Sequence, residues 1–372
     1  MDSCDVLVVG GGPAGSTCAR QLRLHGMDVI VMDKAHFPRD KVCAGWITPA
    51  VVDALQLDTG DYARQRVLQP ITGFRTGLID GDGIETRYPS IVSYGIRRFE
   101  LDSYLLQRAG ARLRLGETLK SMRWDSGHWI INDTLSARMV VGAGGHFCPV
   151  ARHMGAQLGA SEPAITAKEV EFRMEPSQQD DCRIRGDTPE LYFCSDMKGY
   201  GWAFRKGDYL NIGLGRQDNH RLSEHLENFC IFLRQRGRIP QDISDGFHGH
   251  AYLLYGEALR RQVDDGVLLV GDAAGLAYPQ SGEGIRPAVE SALMAAATII
   301  EAEGDYRRER LQAYSSRLVE RFGRVSTSPE VDEPSFMHRF LGRLVLGNRW
   351  LTRSIVLDRW FLHAHQLPMQ AT

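Results

Sequence analysis

Two glycine-rich segments near opposite ends of the chain constrain its fold more strongly than any other feature. Residues 10–15 (GGGPAG) follow an apolar strand pattern and open a helix pattern, and Asp33 closes the next apolar stretch. Residues 271–275 (GDAAG) follow another apolar stretch, and residues 279–284 (PQSGEG) come shortly after them. A G-x-G-x-x-G sequence between a strand and a helix, completed by an acid about 20 residues further on, is typical of dinucleotide-binding βαβ units. The second segment indicates that one extended cofactor contacts both ends of the chain, and we predict that it is FAD.

Each glycine of the first segment has its own predicted role. Gly10 permits the tight turn after the strand, Gly12 lets the backbone approach a pyrophosphate, and Gly15 allows the helix to pack closely against the strand. The helix that begins here presents free N–H groups and the positive end of its dipole to the phosphates. Asp33 is predicted to accept hydrogen bonds from the ribose hydroxyls. A glycine turn without a ligand is the alternative interpretation.

The second segment predicts a contact with the redox-active end of the cofactor. Asp272, at the end of a buried strand, is either a helix N-cap or a ligand to a cofactor hydroxyl, and a carboxylate has enough acceptor sites for both roles. Gly282 and Gly284 precede a helix pattern over residues 285–300, which places backbone N–H groups beside the cofactor. Such donors would stabilise the negative charge of a reduced flavin.

The succession of strand and helix patterns predicts an α/β fold: a discontinuous Rossmann-like FAD-binding domain, an inserted, mainly antiparallel β substrate domain, and a helical C-terminus. Residues 72–97 alternate and are rich in turns, which indicates an antiparallel hairpin. Residues 140–145 indicate a return to the parallel sheet. The predicted boundaries are 1–71, 98–160 and 262–330 for the FAD-binding domain, 72–97 and 161–261 for the substrate domain, and 331–372 for the C-terminal helices.

Composition excludes several classes of function. The 372 residues carry a formal net charge of −2, which gives no reason to expect nucleic-acid binding. No apolar run approaches the ~20 residues that cross a bilayer, and the acidic start of the chain argues against a secretory signal. The seven cysteines include no C-x-x-C pair, which favours reduced thiols over a disulfide framework. We therefore expect a cytoplasmic protein.

Further motifs lie between the two glycine-rich segments: residues 38–45 (PRDKVCAG), Arg98 with Asp102, and residues 201–204 (GWAF). Together with Asp33 and the glycine-rich segments, they span nearly the whole chain. In this combination the chain resembles the FAD-dependent oxidoreductases of the p-hydroxybenzoate-hydroxylase fold, and most closely their geranylgeranyl reductase branch.

The resemblance implies roles for individual residues. Asp33 would bind the adenosine ribose, Arg98 would contact FAD, and Asp272 would bind the ribityl chain. Gly282 and Gly284 would line the isoalloxazine. The full set of predicted FAD-binding residues is Gly10, Gly12, Pro13, Ala14, Gly15, Asp33, Lys34, Lys41, Arg98, Gly144, Asp272, Pro279, Gly282, Gly284 and Ile285.

Two departures from related families bear on the reaction. The related hydroxylases carry an Asp-Gly motif that serves both FAD and the nicotinamide donor, and Gly144 stands where that Asp is expected. No second G-x-G-x-x-G supplies a nicotinamide fold, so the electron donor is either NAD(P)H or another reduced carrier. The W-x-W-x-I-P signature of flavin-dependent halogenases is absent, and residues 46–49 (WITP) match it only in part. Halogenation is therefore disfavoured.

Cys43 and Trp202 are the candidate catalytic residues. By the resemblance, Cys43 lies near the flavin and substrate, where it would protonate a reduced double bond or tune the site; the alternative is a small buried thiol. Trp202 and Phe204 would line a substrate cavity, although aromatic residues on a strand commonly belong to the core. His248 and His250 share one face of a strand without a third ligand nearby in the sequence, so no metal site is predicted.

The sequence therefore predicts an FAD-dependent oxidoreductase that acts on a hydrophobic or aromatic small molecule and takes electrons from an external donor. By the resemblance, its leading activity is the reduction of carbon–carbon double bonds. An FAD-dependent monooxygenase of the same fold is the first alternative, followed by a flavin-dependent halogenase and a non-catalytic flavoprotein.

In residues 336–362, large apolar residues are interleaved with arginines. Helices packed on their own domain are the favoured interpretation, and peripheral contact with an anionic membrane surface is the alternative.

Overall fold

A computed structural model describes residues 1–157, 164–217, 221–256, 260–324 and 336–369 of the chain. The remaining residues belong to all three predicted domains, so parts of each prediction lie outside the described residues. These parts are residues 158–160 and 325–330 of the FAD-binding domain, 161–163, 218–220 and 257–259 of the substrate domain, and 331–335 and 370–372 of the C-terminal helices.

Strands and helices alternate at both ends of the described chain and strands dominate its middle. The strands are β1 (Asp2–Val9), β2 (Val29–Asp33), β3 (Trp46–Ile47), β4 (Leu68–Ile71), β5 (Gly73–Leu78), β6 (Ile84–Arg87), β7 (Ser93–Ile96), β8 (Arg112–Leu115), β9 (Met122–Asp125), β10 (His128–Ile131), β11 (Leu135–Gly142), β12 (Ala164–Arg173), β13 (Glu190–Phe193), β14 (Gly199–Lys206), β15 (Tyr209–Arg216), β16 (His248–Leu253), β17 (Val263–Asp264) and β18 (Val267–Leu269). The helices are α1 (Pro13–Leu24), α2 (Pro49–Ala54), α3 (Thr59–Ala63), α4 (Arg98–Arg108), α5 (Pro149–His153), α6 (Pro176–Asp181), α7 (Leu222–Gln235), α8 (Ile285–Glu301), α9 (Arg308–Leu311), α10 (Ala313–Phe322), α11 (Phe336–Gly347) and α12 (Arg349–Leu351), with a 3-10 turn at Gly271–Ala274 and a π-helix at Thr352–Phe361.

The largest sheet assembles strands from distant stretches of the chain. Its order is β17-β18-β11-β1-β2-β8, with β10 paired to β11 and β9 paired to β10. β1 runs parallel to both β11 and β2, and its residues Val6, Leu7 and Val8 are fully buried. A parallel strand covered on both faces needs such a continuous apolar run. The predicted return of the chain to the parallel sheet near residue 140 is confirmed by β11.

This sheet places the two glycine-rich segments side by side. β1, β11 and β18 are parallel, so their carboxyl ends lie along one edge, where α1 and the 3-10 turn begin. α1 packs against α8, and its residues Ala14, Cys18 and Leu22 are buried, while Arg23 is exposed. Ligands of open α/β sheets bind at the carboxyl edge of the strands. The fold therefore directs both motifs to one binding region.

The second sheet has the order β16-β12-β15-β14-β13-β5-β6. All its neighbours are antiparallel except β5 and β13, which run parallel. The predicted hairpin after residue 72 is confirmed by β5 and β6. One face of this sheet packs on α7, and the other face carries Trp202 and Phe204 toward the C-terminal helices.

A small sheet, β3-β7-β4, joins the loop after β2 to the second sheet. It combines strands from both sides of the predicted boundary between residues 71 and 72, and the domain limits stay a prediction.

The π-helix packs Val356, Leu357 and Phe361 against the second sheet. All seven cysteines are free thiols. Within the described ranges, no helix has the length and apolarity that a bilayer crossing requires.

Candidate FAD and substrate site

The first glycine-rich segment forms the turn between β1 and α1, and its glycines are required for different reasons. A Cβ at Gly15 would overlap the carbonyl oxygen of Gly10, and Gly10 has a φ of +115°, a conformation that favours glycine. Gly12 differs from both, because its φ is −75°. A Cβ there would lie 3.5 Å from Arg39 Nη2 and 3.9 Å from Asp102 Oδ2, which is ordinary contact distance. The protein alone would therefore accept a Cβ at Gly12, whereas a ligand that approaches the backbone closely would not.

The start of α1 has the properties of an anion site. Pro13 is its first residue, Gly12 is its N-cap, and no side chain caps the first-turn N–H groups. These groups and the helix dipole face the space in front of the glycine turn. The late segment reaches the same place, since a Cβ at Gly271 would lie 3.3 Å from the Cβ of Ala14.

Asp33, at the end of β2, is oriented by the glycine turn. Its Oδ2 accepts a hydrogen bond from the N–H of Gly11 at 2.7 Å, and its Oδ1 accepts one from the N–H of Ala35 at 2.9 Å. Each oxygen retains a second lone pair, so the carboxylate can still accept a hydrogen bond from a ribose hydroxyl. The neighbouring Lys34 is exposed.

A buried carboxylate with two arginines lies in front of the glycine turn. Asp102 is fully buried and accepts hydrogen bonds from Arg98 Nε at 2.6 Å and Nη2 at 2.7 Å, while Arg39 Nη2 lies 3.3 Å away. Burial lowers the pKa of Arg98, but the Asp102 carboxylate outweighs burial and the net shift raises that pKa. Two guanidinium groups against one carboxylate leave a positive charge beside Gly12, which suits a pyrophosphate.

Asp272 lies inside the short 3-10 turn that follows β18. The N-cap of that turn is Val270, so the N-cap interpretation of Asp272 is wrong. Its Oδ2 instead lies 3.8 Å from Nε2 of His250. Burial raises the pKa of Asp272, but His250, Lys41 and Arg98 outweigh burial and the net shift lowers it. The carboxylate is therefore charged and held by cationic and neutral donors rather than by a helix end.

Lys41 and His250 connect the loop after β2 to Asp272. Lys41 Nζ lies 3.0 Å from the ring nitrogens of His250. Burial lowers the pKa of Lys41 to about 8, although Asp272 opposes the shift. Burial also lowers the pKa of His250, so the imidazole is neutral near pH 7. His248, on the same strand, is exposed. In the described part of the chain, no three His, Cys, Asp or Glu side chains gather as a metal site requires.

The backbone between the 3-10 turn and α8 passes close to its neighbours. Gly282 has a φ of +67°, and a Cβ there would overlap the hydroxyl of Tyr252. A Cβ at Gly284 would lie 3.0 Å from Asp272 Oδ1. This segment therefore leaves no room for side chains on the side that faces Asp272, and it presents its backbone there.

The predicted FAD-binding residues fall into two groups in the structure. Those that meet at the carboxyl edge of the large sheet are Gly10, Gly12, Pro13, Ala14, Gly15, Asp33, Lys41, Arg98, Asp272, Gly282, Gly284 and Ile285, the last being buried at the start of α8. Those that are exposed at its rim are Lys34, Gly144 and Pro279. The open space at Gly12, the uncapped helix and the positive charge fit the diphosphate of FAD, and the role of each residue stays a prediction.

Cys43 and Trp202, the candidate catalytic residues, are joined by one hydrogen-bonded chain. The N–H of Cys43 donates to Glu169 Oε1 at 2.5 Å, and Asn211 Nδ2 donates to the Cys43 carbonyl at 3.3 Å. Asn211 Nδ2 also donates to Glu169 Oε2 at 3.3 Å, and Trp202 Nε1 donates to Asn211 Oδ1 at 2.7 Å. The second sheet thus fixes the backbone of the loop that carries Cys43.

Burial sets the protonation states of Cys43 and Glu169. It raises the pKa of the Cys43 thiol, against the opposing charge of Arg98, so the thiol keeps its proton near pH 7. Burial also raises the pKa of Glu169 to about 7, although the Cys43 N–H and Lys206 oppose it. Glu171 differs, because Lys206 Nζ at 2.8 Å helps to lower its pKa in spite of burial. A proton can be held at the Cys43 sulfur and at the Glu169 carboxyl.

An aromatic cluster packs against Ala44, the residue after Cys43. The ring of Trp46 lies 5.1 Å from that of Phe204 and 5.5 Å from that of Phe361, between ring centroids. Tyr200 lies 5.3 Å from Phe361, and its hydroxyl donates to the carbonyl of Ser281 at 2.5 Å. The cluster therefore extends from the second sheet to the segment beside Asp272.

Residues 363–367, which we call the C-terminal strap, cover that segment. The ring of His363 stacks on Tyr278 with 3.7 Å between centroids, and Arg286 Nη2 donates to the carbonyl of Gln366 at 3.1 Å. His363 Nε2 lies 3.9 Å from Glu283 Oε2, and among the described residues neither group has a hydrogen-bond partner. Burial raises the pKa of Glu283 to about 8 and lowers that of His363 to about 3, so both are neutral at pH 7.

Sequence reasoning missed Glu169, Asn211, the contact of His250 with Asp272, and the strap. A signal for the first two was present. Glu169 continues the buried face of β12 that carries Ile165 and Ala167, and Asn211 lies between the buried residues Leu210 and Ile212 on β15. A polar residue inside a buried strand needs a partner, and it marks a candidate site when it recurs on two neighbouring strands.

Comparison with known proteins agrees with this geometry. Residues 5–90 match the FAD dependent oxidoreductase family. The chain is 32% identical to a menaquinone reductase of Mycobacterium tuberculosis over 87% of this chain and 81% of that protein. It is 27% identical to digeranylgeranylglycerophospholipid reductase 2 of Methanosphaera stadtmanae over 87% of this chain and 85% of that protein.

A solved structure shares the fold. The geranylgeranyl bacteriochlorophyll reductase-like protein of Thermoplasma acidophilum superposes with a TM-score of 0.73 at 23% identity, over 93% of this chain and 88% of that one. The predicted α/β fold and the predicted resemblance are confirmed. The protein is an enzyme, an FAD-dependent oxidoreductase, and it belongs to the geranylgeranyl reductase family.

Proposed function

We propose that this oxidoreductase reduces carbon–carbon double bonds in the isoprenoid part of a lipid. The observation that carries the proposal is the aromatic cluster of Trp46, Phe204 and Phe361, which packs against Ala44, the residue after Cys43, and reaches the segment beside Asp272 through Tyr200. An apolar surface next to a protonated thiol suits an alkene, because the alkene offers no polar group for recognition. The names of the two reductases reported above, which concern an isoprenoid quinone and a digeranylgeranyl lipid, support the same class of substrate.

The residues of the chain would divide the work of an alkene reduction. Bound FAD, once reduced by the external electron donor, would supply a hydride equivalent to one carbon of the double bond. Cys43 holds a proton at its sulfur and would deliver it to the other carbon, and the Arg98 guanidinium stabilises the thiolate that remains. Asn211 and Glu169 hold the Cys43 backbone in place. The π-helix excludes water from the aromatic side of the site.

We propose that the electrons come from NAD(P)H or another reduced carrier that binds transiently. The chain has no second glycine fingerprint, and Gly144, where related hydroxylases have an Asp, is exposed at the rim of the site. A donor that binds only briefly needs no such dedicated fold.

Anaerobic turnover tests the proposal. The FAD-loaded protein is mixed without oxygen with NADH, NADPH or dithionite and with menaquinone or a digeranylgeranyl lipid, and the product is analysed by mass spectrometry. We expect the substrate to gain two hydrogen atoms for each reduced bond. Cys43→Ser should lower kcat by about a hundredfold or more, as loss of a general acid does. Cys230→Ser, which changes a buried thiol on α7, should leave kcat unchanged.

Other results would identify the alternatives. A product that gains an oxygen atom, formed only in air, would identify a monooxygenase. A bound flavin that no donor reduces would identify a non-catalytic flavoprotein. If Cys43→Ser and Cys230→Ser turn over at the same rate as the parent, the proton does not come from Cys43.

A further inference from the structure

A cavity of 570 Å³ in the second sheet region is lined by five arginines. Its wall is built from β5, β6, β13 and β14, the segment before β13, and Arg238, three residues after the end of α7. The lining residues are Arg75, Glu85, Cys182, Arg183, Ile184, Arg185, Gly186, Thr188, Glu190, Arg205 and Arg238. A cavity of this volume is large enough for a small ligand.

This arginine cavity is separate from the cofactor site. Side chains of successive strand residues point to opposite faces of a sheet. Arg75 and Arg205 line the cavity, whereas their neighbours Phe74 and Phe204 belong to the aromatic cluster around Trp46. The second sheet therefore stands between the arginine cavity and the residues that face FAD.

Two of the five arginines are neutralised by carboxylates. Arg185 Nη2 lies 2.8 Å from Glu85, and Arg185 Nε lies 3.3 Å from Asp187. Arg238 Nε donates to Glu190 at 3.0 Å, and Glu190 is almost completely buried. These pairs hold the wall of the cavity in a fixed arrangement.

The other three arginines have no carboxylate partner in the described ranges. Arg75 Nε donates to the hydroxyl of Tyr192 at 3.2 Å, and its Nη groups make no hydrogen bond with the described residues. Arg205 donates only to two backbone carbonyls, at 3.1 and 3.4 Å. Arg183 is exposed, and none of its guanidinium donors is hydrogen-bonded in the part of the chain that the structure describes, although its backbone N–H donates to the carbonyl of Arg238 at 2.9 Å. The charge is notable because the whole chain carries a net charge of −2.

We propose that the arginine cavity binds a compact polyanion of the diphosphate class. Three uncompensated guanidinium groups match a ligand with several negative charges, and their planar donors suit phosphate oxygens. The lining has no aromatic side chain, and its apolar members are Cys182 and Ile184. Such a wall offers no surface for a nucleobase or an isoprenoid chain. The ligand is therefore either a soluble diphosphate or the phosphorylated headgroup of a lipid.

Calorimetry with inorganic pyrophosphate tests the site. The FAD-loaded protein is titrated at 0.1 M salt, together with Arg183→Ala, Arg183→Glu and Arg205→Ala. We expect saturable binding of one pyrophosphate, weakened about tenfold by each alanine variant and abolished by Arg183→Glu. Arg173→Ala, an exposed arginine of β12 paired with Asp208, is the matched control and should bind like the parent. The unfolding temperature of each variant shows that it folds.

The proposal is overturned if pyrophosphate does not bind, if sulfate binds equally well (an adventitious ion only), or if Arg173→Ala weakens binding as much as Arg183→Ala. A second arm identifies the source of the ligand once binding is found. The parent and Arg183→Glu are floated with phosphatidic acid vesicles. A smaller bound fraction for the variant identifies a lipid headgroup, and equal fractions identify a soluble diphosphate.

Discussion

Among the glycines of the first segment, Gly12 is the one that a ligand explains and the fold does not. Gly10 and Gly15 are explained by the protein alone, because a Cβ at Gly10 would overlap the backbone of Ala143 and a Cβ at Gly15 would overlap the carbonyl oxygen of Gly10. Gly12 has an ordinary φ, and a Cβ there would make only ordinary contacts. Nothing inside the chain demands glycine there, whereas a pyrophosphate against the start of α1 does.

This difference predicts the outcome of substitution. Gly12→Val should fold with a nearly unchanged unfolding temperature in the absence of cofactor, because a Cβ there meets Arg39 and Asp102 only at ordinary contact distance. Its affinity for FAD should fall at least about tenfold, or about 1.4 kcal/mol, because the side chain occupies the space for the diphosphate. Fluorescence titration with FAD measures the affinity.

Gly15→Ala is the control for that experiment, since its Cβ would overlap the Gly10 carbonyl and should lower the unfolding temperature of the apoprotein. A Gly12→Val protein that binds FAD like the parent would contradict the assignment of this turn to the diphosphate.

Glu283 is a second residue whose surroundings lead to a prediction, in this case about the pH dependence of stability. His363, Arg286 and Glu290 face it, and burial raises its pKa to about 8 from 4.5. The folded state therefore binds this proton more tightly than the unfolded state. Stability from the protonated group is present below pH 4.5 and is lost as the pH rises through about 8. The loss amounts to at most about 1.4 kcal/mol per pH unit within that window.

Glu283→Gln should remove this pH dependence, because glutamine resembles the protonated acid and cannot ionise. The free energy of unfolding in urea, relative to that of the parent, should rise between pH 6 and pH 8. The exposed Glu227→Gln of α7 should leave the difference constant over that range. If the free energies of unfolding of Glu283→Gln and the parent change with pH in parallel, the carboxyl group of Glu283 does not titrate between pH 6 and pH 8.

The sequence identified the residues of the glycine-rich segments because their spacing alone encodes a strand, a turn and a helix. It did not identify Glu169 or Asn211 as partners of Cys43. Their contacts join strands separated by 42 to 168 residues, and no local pattern encodes such pairing. The expected role of Asp272 as an N-cap failed because the chain after β18 forms a 3-10 turn instead of a long helix.

Among the elements, the C-terminal helices have two distinct faces. One face packs Leu346, Val356 and Phe361 against the second sheet, as the favoured interpretation of this stretch expected. The other leaves Trp350 69% exposed and Leu344 51% exposed. Arginines border these two side chains, which is the arrangement of a surface that contacts anionic lipids. We propose that this face makes a peripheral membrane contact.

Vesicle flotation tests that contact. The parent should float with phosphatidylglycerol vesicles at low salt and less so in 0.5 M salt, because the arginine contribution is screened. Trp350→Ala should reduce the bound fraction several-fold, because it removes apolar surface that enters the interface. Trp124→Ala, an exposed tryptophan of β9, should not. If both substitutions reduce binding equally, or the parent does not float, the C-terminal face makes no such contact.

For the whole molecule, the sequence predicted the α/β class, the parallel sheet and the antiparallel sheet, since each has its own hydrophobic period. It did not predict the small sheet of β3, β4 and β7, because strands of two to four residues carry too short a pattern. It also did not predict that the strap reaches the segment at Glu283. The strap is held by backbone carbonyls that accept hydrogen bonds from Arg286 and Arg321, and any sequence offers carbonyls.

The strands of the large sheet come from distant parts of the chain, so the sheet can be completed only late in synthesis. β1 is synthesised well before β11, which ends at residue 142, and before β18, which ends at residue 269. Until then the nascent chain exposes an unpaired apolar strand edge, which is a surface that chaperones bind and that aggregates. A message cut short before β18 would yield a polypeptide that possesses the first fingerprint and still lacks the second half of the cofactor site.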